Sequence, residues 1–328
     1  MTQRVPALLR VAILQAIGVL SLAAAVPAQA QNYPTRPVEL VVPFAAGGGT
    51  DLLARLVAEG LAQRLGQSFV TLNRPGANTN TGTLQVVKSA PDGHTLVMAS
   101  IGLAANPSLY RKLAFDPLAD LAPISLLANS PTVLVVPPDL PVNTAAEFIA
   151  YLKAHPGALN YASYGAGSGP HLAAELFRAM TGVDFVHVPY SGGGPAAVGV
   201  MGNNVQMLFA SVLPVLGLVR SGKLKAIAIA SQARSPLLPD VPTFKEGGLD
   251  YRTGTWFGLL APARTPDTIV ETLYKQVTDV LGVPSVRDRI VEQGAEVVGS
   301  TPGEFRAFLK EETERLAVVV RNAKMQLD

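Results

Sequence analysis

Residues 38–51 have the sequence VELVVPFAAGGGTD, and this stretch decides the fold that we predict. The apolar, β-branched run from Val38 to Pro43 is typical of a buried strand, and the pattern from Asp51 to Leu65 is that of a helix. The three glycines between them allow a tight turn from strand to helix. We therefore expect a β–loop–α unit of the kind that builds α/β domains.

The same alternation of short apolar runs and helical patterns continues along the chain. It predicts an α/β fold in which parallel sheets are covered by helices. Further strands are expected at Phe69–Asn73, Thr95–Ala99, Thr132–Val136, Leu159–Ser163, Phe185–Pro189, Val205–Phe209 and Leu224–Ala230. Further helices are expected at Thr81–Ser89, Ala145–Ala154, His171–Met180, Pro195–Met201, Pro214–Ser221, Pro266–Leu281 and Pro302–Asn322.

Two long extended stretches, Pro123–Pro137 and Thr253–Ala261, are interpreted as crossings between domains. This interpretation makes the first domain discontinuous, with residues 31–129 plus 250–328, and leaves residues 130–249 as the second. The predicted fold class is thus α/β with two hinged, doubly wound domains, since paired crossings make a hinge. A single large doubly wound domain is the alternative.

The first thirty residues are expected to be a signal peptide. Arg4 and Arg10 give a positive start, residues 11–25 form an apolar run, and Ala28-Gln29-Ala30 is a small-x-small cleavage pattern. The alternative is an uncleaved membrane anchor, but Gln15 interrupts the run and Pro27 ends it below the ~20 residues of a span. We predict a periplasmic protein of 298 residues that begins at Gln31.

Composition narrows the partners that the exported protein could have. Removal of residues 1–30 leaves 24 basic and 24 acidic residues, so the charge balance gives no reason to expect binding to nucleic acid or to membrane surfaces. The chain has no cysteine, which excludes disulfides and a lipid anchor on cysteine.

Three glycine-rich loops stand where strands are expected to end and helices to begin. They are residues 43–51, 163–171 and 190–195, and none of them contains lysine or arginine. Glycine lets backbone N–H groups approach a ligand, and a helix N-terminus favours an anion. The alternative for any one loop is an ordinary tight turn. A dinucleotide fingerprint at Gly192–Ala197 is not supported, because no acidic residue occurs between Asp184 and Asp240 to hold a ribose.

The sequence gives little support for catalysis, a cofactor or a metal. His94, His155, His171 and His187 are scattered without metal-ligand spacing. Ser168 precedes His171 by three residues but lacks the surroundings of a nucleophile elbow. We expect no cofactor, although an esterase or decarboxylase on this scaffold remains the alternative from a different functional class.

The mature sequence resembles the receptors of tripartite tricarboxylate transporters, also called Bordetella uptake gene proteins. The resemblance begins with Tyr33-Pro34-x-Arg36-Pro37 and the 41–51 segment, and it covers essentially the whole mature chain. The other matching motifs are residues 73–77 (NRPGA), 90–93 (APDG), 106–110 (NPSLY), 159–163 (LNYAS), 171–172 (HL), 188–190 (VPY), 222–224 (GKL), 238–243 (LPDVPT) and 256–258 (WFG).

This resemblance implies a type II-like periplasmic binding protein, with two hinged domains and a small organic carboxylate in the cleft. It implies a monomer that delivers ligand to one large and one small membrane subunit; a receptor for a signalling partner is the alternative. The ligand-binding residues that it implies are Phe44, Ala46, Gly48, Asp51, Tyr164, Gly165, Ser168, His171, Tyr190, Ser191 and, more weakly, Ser211. The family often has Lys-Gly where this chain has Ser191-Gly192, so the resemblance indicates a ligand class and not a ligand.

Overall fold

The structure is a computed structural model, and it describes residues 33–327. The expected signal peptide, residues 1–30, lies outside the described residues. None of the helices between residues 33 and 327 combines the length and apolarity that a membrane crossing requires.

Strands and helices alternate through most of the chain, as the sequence predicts. The strands are β1 (Val38–Val42), β2 (Phe69–Asn73), β3 (Thr95–Ser100), β4 (Leu121–Val136), β5 (Asn160–Ser163), β6 (Val186–Pro189), β7 (Met207–Ser211), β8 (Lys225–Ile229), β9 (Gly254–Pro262) and β10 (Glu296–Val297). The helices are α1 (Gly49–Leu65), α2 (Asn80–Val87), α3 (Ile101–Leu109), α4 (Ala145–Ala154), α5 (Gly169–Thr181), α6 (Gly193–Met201), α7 (Val212–Arg220), α8 (Asp267–Gly282), α9 (Pro284–Glu292) and α10 (Pro302–Asn322). A 3₁₀ turn at Ala77–Thr79 precedes α2.

The strands form one mixed sheet in the order β2-β1-β3-β9-β4-β7-β5-β6, with β8 and β10 also paired to β4. Two similar halves are visible in this order. In the first half β1 is parallel to β2 and β3, and in the second half β5 is parallel to β6 and β7. Each half is therefore built of parallel β–α units, the arrangement of a doubly wound sheet.

Strand β4 belongs to both halves. Residues 121–131 pair with β9, whereas Thr132–Val135 pair with β7 and Val133–Val136 pair with β8. The changeover is fixed by backbone hydrogen bonds from Thr132 N–H to Thr253 O (3.2 Å) and from Ala230 N–H to Thr132 O (2.7 Å). The two extended stretches predicted from sequence thus lie side by side as β4 and β9.

Two features of the sheet differ from the sequence prediction. The sheet is mixed and not parallel throughout, because β4 and β9 carry the chain between the halves and pair antiparallel to each other and to β3, β7 and β8. Helices α3 and α9 were not predicted. Pro107 lies inside α3 and argued against a helix there, yet the buried face of α3 keeps it in place.

Alternation of side chains across the sheet divides the core of the second half into two layers. On one face Leu134 and Phe209 pack with the aromatic rings of Phe148, Phe177 and Tyr251. The opposite face buries Val133, Val135, Leu208 and Ala210 against α6 and α7. A further cluster fills the first half around Trp256 and Phe305. Residues from Arg36 onward cluster as one compact unit, so the domain boundaries at 129/130 and 249/250 stay a prediction.

Candidate functional site

The glycine-rich loops lie at the carboxyl ends of strands, and each runs directly into a helix N-terminus. Gly48, Ser168, Gly192 and Ser211 are the N-cap residues of α1, α5, α6 and α7, and none of their side chains caps its helix. Thr144 and Thr301 cap α4 and α10 with side-chain hydrogen bonds, whereas the N-cap residues of α2, α3, α8 and α9 also lack a side-chain cap. The first-turn N–H groups of α1, α5, α6 and α7 are thus left without a side-chain cap, as anion-binding helix N-termini are.

The carboxylate of Asp51 shapes the first loop. It is 2 % exposed and accepts hydrogen bonds from Gly47 N–H (2.9 Å), Asn73 Nδ2 (2.9 Å) and Arg55 Nε (3.1 Å). Burial raises the pKa of Asp51, but the bonds from Arg55, Gly47 and Asn73 outweigh it and hold the pKa below its usual value. Asn73 also donates to Phe44 O (3.1 Å). Asp51 is therefore ionised, and its hydrogen bonds hold the first loop in a conformation in which residues 45–48 are exposed.

The second loop is closed by two serine hydroxyls around Gly165. Ser168 Oγ donates to Gly165 O at 2.6 Å, and the Ser168 N–H donates to the same oxygen at 3.2 Å. Ser163 Oγ accepts from Gly165 N–H at 3.1 Å. Gly165 and Gly167 have φ values of 115° and 77°, which other residues rarely adopt. Because the Ser168 proton is given to Gly165, its hydroxyl would have to rotate before donating to a ligand.

Two stacked imidazole rings pack against the second loop. The His171 and His187 rings lie 4.1 Å apart at 15°, and Tyr161 stacks on His187 at 4.7 Å. His171 Nδ1 accepts from Gly167 N–H at 2.8 Å, and His187 Nε2 lies 2.7 Å from Ser163 Oγ. Burial lowers the pKa of His171 to about 3, helped by the charges of His187 and Arg178, and burial also lowers the pKa of His187. Both rings are therefore neutral at neutral pH.

Tyr164 brings the second loop to the N-termini of α6 and α7. Its hydroxyl is enclosed against Ser211 without a well-aligned hydrogen bond, and its ring lies beside Gly193. Burial raises the pKa of Tyr164 to about 12, while the hydroxyl and N–H of Ser211 act in the opposite direction. A buried hydroxyl without a partner is uncommon and costs free energy, about 1–3 kcal/mol.

The third loop is exposed at Ser191, Gly194 and Pro195. Ser191 is exposed, whereas the Tyr190 ring packs on α6, so closely that a Cβ at Gly199 would lie 2.4 Å from its hydroxyl. The structure places Tyr190 as a support for α6, and its contact with a ligand stays a prediction.

Residues from both halves line one small cavity beside these loops. It has a volume of about 20 Å³, room for about one water molecule. Gly49 of α1 and Leu53 contribute from the first half and Ser211 from the second, with Ser130 and Phe257 from the crossing strands and Ile290, Gln293 and Ala295 behind them. Residues at the N-termini of α1 and α7 thus line the same cavity.

Several residues of the site were not predicted individually. Asn73 orders the first loop, His187 and Ser163 support the second, and Asn78 and Asn106 link the two halves through Gly167. The available signal was a polar residue inside an apolar helix, since Asn106 ends the otherwise apolar segment IGLAAN at residues 101–106 and a buried amide requires partners.

The chemistry of the site is that of hydrogen-bond donation. Ser163 and His187 form a serine–histidine pair, but the Ser163 side chain is fully buried and is not presented as a nucleophile. Within residues 33–327, no group of three or more His, Asp or Glu side chains is placed to hold a metal ion.

Comparisons with known proteins agree with this description. A sequence model of the tripartite tricarboxylate transporter family receptor matches residues 53–325. Protein BugT of Bordetella pertussis is 39% identical over 306 residues, covering 92% of this chain and 94% of BugT. A solved structure of Rpa4515 from R. palustris with adipate is 36% identical, with a TM-score of 0.85 over 90% of this chain and 99% of that chain.

A second solved structure, MatC from Rhodopseudomonas palustris with bound malate, is 36% identical, with a TM-score of 0.82 over 88% of this chain and 100% of that chain. These relatives confirm the two-part, type II-like periplasmic binding fold that the resemblance implied. The extent of the family match and the identity to BugT together show that the chain belongs to the tripartite tricarboxylate transporter receptor family, a family of periplasmic solute-binding proteins.

Proposed function

We propose that the protein captures a small organic carboxylate in the cleft between the two halves. The observation that carries this proposal is the set of helix N-termini without side-chain caps, α1 from the first half and α5, α6 and α7 from the second, at loops that contain no lysine or arginine. Backbone N–H groups and hydroxyls there supply donors without a fixed positive charge, and a carboxylate is the small anion that such donors suit. The relatives solved with adipate and malate support the same class of ligand.

Calorimetry and thermal shift with a carboxylate panel test this function. The panel contains malate, adipate and their monoamides and dimethyl esters as matched neutral controls. A ligand present at about 100 times its dissociation constant stabilises the folded state by ~2.7 kcal/mol, so a true ligand raises the melting temperature and its diester does not. A panel in which no carboxylate shifts the melting temperature, or in which diesters bind as well as acids, contradicts the proposal.

The capture step is a closure of two domains about β4 and β9. The proposed domains are residues 31–129 plus 250–328 and residues 130–249, joined at the changeover near Thr132 and Thr253. Small-angle scattering with the ligand identified by the panel should show a compact bound state. A hinge is contradicted if the radius of gyration is the same with and without ligand and the distances between spin labels in the two halves are also unchanged.

The proposed cellular role is delivery from the periplasm to a tripartite tricarboxylate-type transporter, with the binding protein acting as a monomer without catalysis. Residues 1–30 would be removed on export, so periplasmic protein should have the intact mass of a chain beginning at Gln31. Uptake of labelled ligand into vesicles that contain the large and small membrane subunits should require the protein. Uptake that is equal without it would point instead to a receptor for a signalling partner.

A further inference from the structure

One side chain of the first half is hydrogen-bonded to a proposed ligand loop of the second half. Asn78 Nδ2 donates to Gly167 O at 3.1 Å and to Asn106 Oδ1 at 2.7 Å. Asn78 lies in the 3₁₀ turn after β2, whereas Gly167 lies between β5 and α5. This amide therefore connects the halves through a side chain, in addition to the backbone pairing of β4 with β9.

The donor is held in place by a buried network. Asn106 has no exposed surface, and its Nδ2 donates hydrogen bonds to Asn78 O (2.8 Å) and Asn80 Oδ1 (2.6 Å). Ala77, Asn78 and Thr79 have consecutive φ values of 44°, 46° and 80°. Three successive left-handed residues are strained, and such a segment persists only where its surroundings fix it. The network thus orients the Asn78 amide before any contact with the second half is made.

The acceptor is equally well fixed. Gly167 donates its N–H to His171 Nδ1, and a Cβ on Gly167 would lie 2.7 Å from Asn78 Nδ2, 2.9 Å from Leu109 Cδ1 and 3.0 Å from Leu327 Cδ1. The close approach of the first half to Gly167 therefore requires glycine, with its φ of 77°. Donor and acceptor both come preformed, so little conformational entropy is lost when they meet.

We propose that Asn78 is a positioning residue for ligand capture, a closing latch whose hydrogen bond to Gly167 favours the closed arrangement of the two halves. The inference rests on the proposed function, because Gly167 belongs to the loop that would contact the carboxylate. In this proposal the bond forms when the halves close and breaks when they open. The apparent affinity for a ligand that binds the closed form falls with the fraction of molecules that can close.

The test replaces Asn78 with glycine, which removes the amide and keeps the left-handed backbone without new strain. The matched control is Asn203→Gly, since Asn203 also has a left-handed backbone (φ 56°) but lies on the exposed turn after α6. The chain has no cysteine, so Lys88→Cys and Lys153→Cys, at exposed positions in the first and second halves, allow paired spin labels to report the distance between the halves. Malate and adipate are the probes for affinity.

We expect Asn78→Gly to displace or broaden the ligand-free distance distribution and to weaken binding of the probe by about 2- to 10-fold, the range of one neutral hydrogen bond. Asn203→Gly should match the parent in both measurements. Gly167→Ala perturbs the same contact from the other side, without replacing a residue of the strained turn, and should displace the distribution in the same way. Distributions identical to that of the parent for both Asn78→Gly and Gly167→Ala overturn the latch, whatever their affinities.

The two proposals fail separately in this design. If neither malate nor adipate binds the parent, the result counts against these carboxylates as ligands, while the ligand-free distances still decide the latch. If Asn78→Gly weakens binding but leaves every distance unchanged, Asn78 acts on the ligand directly and the latch is refuted.

Discussion

The backbone N–H of Gly167 donates to Nδ1 of His171, and this bond requires that Nδ1 carry no proton. The stacked His187 ring and the Arg178 guanidinium oppose a charge on His171, while Glu175, paired to Arg178 and to Tyr161, is the nearby acidic group. The conformation of a proposed ligand loop is thereby coupled to the protonation of one imidazole.

The first prediction is a loss of stability in mild acid. Burial lowers the folded-state pKa of His171 to about 3 from an ordinary value of 6.5, so between these values the unfolded chain binds more protons than the folded one. The stability that neutral His171 contributes is therefore complete above pH 6.5 and is lost as the pH falls toward 3. An asparagine at position 171 would place its Oδ1 near the position of His171 Nδ1, where it can accept the bond from Gly167 N–H. Its side chain does not titrate.

Melting temperatures measured from pH 7 down to pH 4.5 should thus fall less steeply for His171→Asn than for the parent. His155→Asn, at an exposed histidine, is the control and should follow the parent. Parallel curves for His171→Asn and the parent would refute the coupling.

The second prediction concerns Gly48→Val. A Cβ at Gly48 meets no atom closer than Ala45 O at 3.8 Å, so the fold accommodates a side chain at this N-cap. The valine would nevertheless cover the backbone that a ligand must approach, and we expect binding of malate or adipate to be abolished at a melting temperature close to that of the parent. Gly303→Val, at the start of α10, is the matched control and should bind normally. Normal binding by Gly48→Val would remove the first loop from the site.

The third prediction separates a direct role for Ser168 from a supporting one. Its hydroxyl donates to Gly165 O, so Ser168→Ala removes a neutral hydrogen bond within the loop and should weaken ligand binding by about 0.5–1.5 kcal/mol. A direct bond to the carboxylate would instead cost about 1.5–3 kcal/mol. Calorimetry distinguishes the two, and unchanged affinity would exclude both roles.

The fourth prediction is an affinity almost independent of salt. The loops at residues 43–50, 163–170 and 190–195 contain no lysine or arginine, and dipoles inside a closed cleft are little affected by screening. The dissociation constant for malate or adipate should change by less than about twofold between about 50 and about 500 mM salt. A steep dependence would mean that a basic residue outside these loops holds the anion.

The fifth prediction tests the packing behind β9. A Cβ at Gly258 would lie 2.1 Å from Cζ of Phe305, which is fully buried against Trp256. Gly258→Ala should therefore lower the free energy of unfolding by about 1–3 kcal/mol. The control Gly217→Ala, in an exposed helix position with no atom within 4 Å, should be neutral or slightly stabilising. Urea denaturation gives both values, and equal stability of the two variants would contradict the packing.

Local signals predicted much of the fold. Helices α4 and α10 and strand β2 have the predicted bounds. Helix α10 begins with a Thr301–Glu304 capping box that has Pro302 at the first helical position, and both are strong start signals in sequence. The three loops were located because each glycine run stands between a predicted strand and a predicted helix.

Contacts between residues that are far apart in the sequence could not be predicted from such local signals. Asn78, Asn106 and Gly167 are separated by up to 89 residues, and His187 reaches Ser163 only because β5 and β6 are neighbours. Asp51 was predicted as a helix-start residue, but its hydrogen bond to Asn73 depends on the pairing of β1 with β2. Such pairings follow from the assembled sheet and not from spacing along the chain.

The pairing of β3 with β9 sets an order in which the halves can fold. Val97 pairs with Leu260 and Ser100 with Phe257, whereas the strands of the second half all lie between Thr132 and Ile229. As the chain emerges from its N-terminus, β1, β2 and β3 appear first, but the edge of β3 stays unpaired until more than 150 residues later. The half that begins the chain is thus the last to close its sheet, and in the interval the β3 edge is open to pairing with another strand.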